Sequence, residues 1–244
     1  MLQSWIAQLG ALVGKKSALP VETYGKLPCY QDYISVVLTP EANQWRSWLL
    51  TAFAGETMPP VGLWPFIYQP RKNARAVIGF IQASSDGRRQ FPFSLFAVVG
   101  WNLAKDEQHG WATACSVWGQ LQPLHSQVVQ CQDVRDLFTQ LGRTSVIPDP
   151  ANTPQCPPQL TATPPQQAAD WPLLLVGEAS LGWRLHLICG GSRAEAECLH
   201  NWHLLAGRAT PTQPEQQAAP SHPGGCDPTV AMSCAAPMPP TTDQ

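Results

Sequence analysis

The chain has 244 residues, 44% of them hydrophobic and 13% charged, with 25 Pro, 18 Gly, 8 Cys and 10 Trp. That length and apolar fraction support a buried core in one large or two small domains. The 15 Lys and Arg against 17 Asp and Glu give a net charge of −2, which excludes an electrostatic footprint for nucleic acid or an anionic membrane.

Residues 1–19 read as a helical extension, with Trp5, Ile6, Leu9 and Leu12 on one face. Lys15 and Lys16 follow this apolar stretch, whereas a secretory signal carries its basic pair first. The longest apolar runs elsewhere fall short of the roughly 18 residues that span a bilayer, so no membrane insertion is expected. The eight cysteines include no C-x-x-C pair and read as reduced thiols of a cytoplasmic protein. Tyr24 to Leu38 mixes turn signals at Gly25 and Pro28 with a β-branched run, Tyr33 to Val37. Thr39 then caps a helix, with Pro40 in its favoured first position and Glu41 in the first turn. Trp45, Trp48, Leu49, Ala52 and Phe53 recur at helical spacing, so this helix packs on a core.

A β-hairpin follows, in which Ala76–Ala83 and Phe91–Val99 flank a reversal at Asp86-Gly87. Gln108–Gly142 reads as one or two helices. Leu173–Val176 and Trp183–Cys189 read as strands, and Arg193–Leu205 as a closing helix. Eight prolines crowd Pro148 to Pro172 and eight more fall between Gly207 and Gln244. Residues 148–170 therefore read as a Pro-rich loop and 207–244 as a disordered tail that cannot bury enough apolar surface to order itself. The class is α/β, layered around one sheet.

Chemistry is sparse. Cys29 would need a base such as His125 brought near it to act as a thiol nucleophile, and no signature supports that pairing. Cys189, Cys198, His200 and His203 could be assembled into a zinc site, but their spacing matches no common pattern. Gly190-Gly191 reads as plain turn glycines. No G-x-S-x-G, H-E-x-x-H or P-loop is present, so no catalytic residue, metal or cofactor is assigned. Asp86, Arg88 and Arg89 read either as a solvated turn or as two guanidiniums placed to grip a carboxylate or phosphate of a partner.

Four segments follow a familiar order: Tyr24-Gly25-Lys26-Leu27-Pro28, Asp32-Tyr33, the helix with Trp45 and Trp48-Leu49, and Ser85-Asp86-Gly87-Arg88-Arg89-Gln90-Phe91-Pro92. Together they resemble the TagF (ImpM) family of type VI secretion accessory proteins, whose signature has a Gly-Lys-Leu-Pro turn, a Gly-Asp-Phe, a tryptophan helix and a Gly-Arg-x-Phe-Pro segment. The resemblance covers about residues 20–100. It implies a three-layer α/β/α sandwich around one central sheet, within an α/β domain over 20–206. It also implies a non-enzymatic, cytoplasmic repressor that acts post-translationally. Such a repressor binds an FHA-domain component of the apparatus, beside a Ser/Thr kinase and phosphatase pair. Lys26, Asp32, Asp86, Arg88 and Arg89 are the candidates for partner contact or motif integrity. Gly25, Leu27, Pro28, Gly87, Phe91 and Pro92 complete the motif set, with turn geometry assigned to Gly25 and Pro28, and packing and strand start to Phe91 and Pro92. Thr229, in Asp227-Pro228-Thr229-Val230-Ala231-Met232, is a candidate phosphosite for an FHA domain. A structural subunit of the same machine and a thiol enzyme using Cys29 are the alternatives.

Overall fold

The computed structural model describes residues 17–55, 58–100, 107–152, 172–178, 184–190 and 195–209. Residues 1–16 of the expected helical extension, the bulk of the Pro-rich loop, and residues 210–244 of the expected tail, with Thr229, lie outside them.

A short strand β1 (Leu19–Pro20) leads into β2 (Glu22–Leu27) and β3 (Tyr30–Val36), then α1 (Pro40–Ala52). Strands β4 (Leu63–Gln69), β5 (Ala76–Gln82) and β6 (Phe93–Val99) follow. Helices α2 (Glu107–Val129) and α3 (Val134–Arg143) precede a two-residue β7 (Ser145–Val146). Strands β8 (Leu173–Glu178) and β9 (Arg184–Gly190) and helix α4 (Glu195–Ala209) complete the fold. Seven strands form one antiparallel sheet in the order β3-β2-β6-β5-β4-β8-β9, and β1 pairs separately with β7.

Successive side chains of a strand point to opposite faces, and here both faces are covered. Ile67, Ile78, Phe80, Phe93, Leu95 and Leu175 pack under α2 and α3, against Trp111, Trp118, Leu121 and Leu137. Phe66, Tyr68, Val77, Phe96 and Val176 pack on the other face under α1 and α4, against Trp45, Trp48, Leu49, Cys198 and Trp202. This double coverage is why the strands read as continuous apolar runs, and it makes the domain the expected three-layer α/β/α sandwich. Among the described residues no helix is long and apolar enough to cross a membrane.

The hairpin of β5 and β6 lies where the sequence places it, with Pro92 just before a central strand. The segment from Gln108 resolves into two helices, and α4 runs on to Ala209. Strand β4 escapes the sequence reading because Pro65 sits inside it. Pro65 pairs with Phe80 on one side, whereas the β8 pairing begins only at Phe66. No strand therefore pairs with Pro65 on its β8 side.

The polar residues of β2 are buried for a reason. Glu22 is 0% exposed, and its carboxylate accepts from the backbone N–H groups of Leu38 and Thr39 and from the Thr39 hydroxyl. That same hydroxyl oxygen accepts from Ala42 N–H as the N-cap of α1. The carboxylate thus fixes the turn from β3 into α1 at the positive end of the helix. Glu22→Ala removes the charged acceptor of the Leu38 and Thr39 amides and should cost about 2 kcal/mol. A urea titration reads this as a lower midpoint with an unchanged slope.

Candidate functional site

Strands β2 and β3 are joined by a two-residue turn, Pro28-Cys29, with Leu27 opposite Tyr30. The pairing then slips before Gly25 meets Ile34, so residues 31–33 bulge away from Lys26. The space left is filled by the Lys26 side chain, which is wholly buried. Its ammonium lies 2.6 Å from Asp86 Oδ2 and 4.5 Å from the centre of the Tyr33 ring. A long contact of 3.5 Å to the Gln31 carbonyl completes its surroundings.

Asp86 comes from the loop between β5 and β6, 60 residues away in sequence. Its other oxygen, Oδ1, accepts from the backbone N–H groups of Arg88 (2.9 Å) and Arg89 (2.7 Å). The Lys26 ammonium, followed by those two amides, holds the Asp86 carboxyl well below the usual carboxylate range. Gly87 supplies the left-handed φ of +84° at the tip, and its N–H donates to Ser85 Oγ. Ser85 and Gln90 close the loop as an isolated bridge. Arg89 reaches back across the bulge, donating from Nη2 to the Gln31 carbonyl at 2.9 Å, with Nε 3.6 Å from Asp86.

The two segments also meet through backbone and rings. The turn role that the sequence assigns to Gly25 is not the one it has. It lies in β2 at φ +141°, and a Cβ there would collide with the Pro92 carbonyl and stand 2.6 Å from Phe93 Cα. Phe91 sets its edge on Tyr33 (5.0 Å between ring centres) and Tyr24 (5.9 Å), which stack on each other at 5.5 Å. Arg46 of α1 caps the Tyr24 ring at 5.3 Å. The tryptophans of α1 are core: Trp45 stacks on Trp48 and Phe66, and its Nε1 donates to Ser94 Oγ at 3.3 Å.

Of the sequence candidates, Lys26 and Asp86 thus pair with each other, buried, and form a clasp between the β2–β3 hairpin and the loop. Leu27 is core, and Pro28 is in the turn. Asp32 is exposed on β3, its Oδ1 accepting from Tyr33 N–H at 2.7 Å. Arg88 and Arg89 are exposed on the loop. Tyr24 and Ser85, which stand in the motif segments without an assigned role, belong to the cluster, as do Gln31 and Arg46, which no sequence pattern marks. Gln31 acts only through its carbonyl, which no side-chain pattern reveals.

The arrangement holds a shape and presents positive charge. The Cys29 thiol is pushed up by burial and then by neighbouring Cys131, the reverse of what a nucleophile needs. His125 is 2% exposed between Phe80 and Phe93, and Nε2 has no hydrogen-bond partner among the described residues. Burial lowers its pKa to about 4, so it stays neutral at pH 7. The unfolded chain binds that proton first, so stability should fall as pH drops from 6.5 towards 4, by about 3 kcal/mol. His125→Leu should flatten this limb in a series of melting curves. Cys198 is buried in the core, and His203 Nε2 lies 2.7 Å from the Met58 carbonyl. Among the described residues no group of three or more His, Cys, Asp or Glu could hold a metal ion.

Residues 22–141, which contain the whole clasp, match the TagF N-terminal domain, described as type VI secretion system-associated. No curated protein matches the chain. Among solved structures, the chain is similar to PA0076 from Pseudomonas aeruginosa PAO1. That alignment has 16% identity and a TM-score of 0.41, and it covers 84% of this chain and 99% of that one.

Proposed function

Because the chain belongs to the TagF family of type VI secretion system-associated proteins through residues 22–141, we propose that it is a non-enzymatic, cytoplasmic repressor of type VI secretion. It acts after translation by binding the FHA-domain component of the apparatus, in the same pathway as the Ser/Thr kinase and phosphatase. The family match carries the reading. It is supported by a site whose Lys26 and Asp86 are spent on each other and whose Cys29 is held as a thiol. Phosphorylation of Thr229 would add about −1.5 to −2 charge and three acceptor oxygens, a ligand of the kind an FHA domain reads.

The test is secretion from cells in which the gene is deleted or overexpressed. Deletion should raise type VI secretion and overexpression should silence it. Loss of secretion on deletion would identify a structural subunit and sink the repressor reading. Thr229→Ala should weaken capture of the purified FHA-domain component under phosphorylating conditions, and unchanged capture would remove that residue from the account.

A further inference from the structure

The clasp costs the protein something that a plain turn would not. Burying an ammonium and a carboxylate together is a weak source of stability, and apolar residues of similar volume often serve as well. What the pair secures is the position of one surface loop relative to the β2–β3 hairpin, and binding residues favour loops held by a rigid frame.

The loop presents cations. Both Asp86 oxygens are committed, to Lys26 and to the two backbone amides, so the carboxylate has no role left in neutralising Arg88. The Arg88 guanidinium is exposed and has no partner among the described residues. Arg89 is 60% exposed, and its hydrogen bond to the Gln31 carbonyl fixes the guanidinium while leaving other N–H groups open to solvent. An arginine fork suits bidentate pairing with carboxylates, and one already oriented loses less entropy on binding. Gly87 beside them adds no side chain, and a Cβ there would meet nothing within 4 Å, so the tip can be approached closely.

We infer that the loop of residues 86–90 is the surface through which the folded domain holds an acidic segment of its partner, Arg88 and Arg89 each taking a carboxylate. The inference rests on the proposed binding of the FHA-domain component. Two guanidiniums on a chain of net charge −2 match a short run of Asp and Glu and make no stripe for a polyanion.

The experiment is calorimetric titration of the full chain with the purified FHA-domain component of the same apparatus. Arg88→Glu with Arg89→Glu should weaken binding by about tenfold or more, with a reduced dependence on salt. Arg88→Glu alone, which keeps the backbone N–H that Asp86 accepts from, should weaken it about fivefold. Arg71→Glu, in the turn at the opposite end of β5, serves as the control and should leave binding within about twofold of the parent. Wild-type affinity in the double variant would overturn the inference and leave the repressor reading standing. Absence of any binding by the parent chain would overturn that reading, and the inference with it.

Discussion

Replacing Gly25 by alanine is expected to destabilise the domain severely. The added Cβ would run into backbone, the Pro92 carbonyl and Phe93 Cα, at a φ of +141° that other residues rarely adopt. Backbone on a central strand cannot move aside as a flexible side chain would. β6, which follows Pro92, is held on both sides, by β2 and β5. A loss of about 4 kcal/mol or more, or failure to fold, is the expected outcome. Thermal melting and yield of soluble protein read it directly. Alanine at Gly87, where a Cβ would meet nothing within 4 Å, should cost only the strain of its backbone angle, about 1 kcal/mol.

The second large effect belongs to Lys26. Lys26→Met fills much of the same volume but leaves the Asp86 carboxylate without its buried cation, and removing one partner of such a pair is far worse than removing both. Tm should fall by about 10 °C. The pH profile should change shape as well. A carboxyl whose pKa is depressed on folding contributes stability above its unfolded pKa, and that contribution is lost as the pH drops below about 4. Lys26→Met should flatten that acid limb while leaving the loss between pH 6.5 and 4 that belongs to His125. The two variants, Lys26→Met and His125→Leu, therefore erase different parts of one curve.

These expectations show which features a sequence can carry. Thr39-Pro40-Glu41 announces α1 because capping is local chemistry, and Asp86-Gly87 announces the hairpin because a reversal needs those residues. The apolar runs announce β5 and β6 as strands, whereas cover on both faces of the sheet is implied by the family resemblance. Strand β4 stayed hidden because Pro65 is tolerated only where the β8 ladder has not begun, a fact of sheet order. The burial of Glu22 and Lys26 is not legible in the sequence, because their partners lie 16 and 60 residues away. Gly25 read as a turn residue for the same reason: what excludes a side chain there is the backbone of Pro92. The motif order pointed to the family, but only the fold shows why its segments belong together. One lysine, one aspartate and one glycine join them into a clasp. Arg88 and Arg89 look alike in sequence, yet Arg89 anchors to the Gln31 carbonyl while the Arg88 guanidinium has no partner among the described residues.

The clasp itself is tested most directly by a double-mutant cycle on Lys26→Met and Asp86→Leu, followed by denaturant unfolding of all four proteins. If the two side chains stabilise the loop through each other, the second substitution should cost much less after the first, and the double variant should be more stable than the sum of the single effects. Strictly additive effects would contradict the account: Lys26 and Asp86 would then be independent residues, and the loop that carries Arg88 and Arg89 would not be held by their pairing.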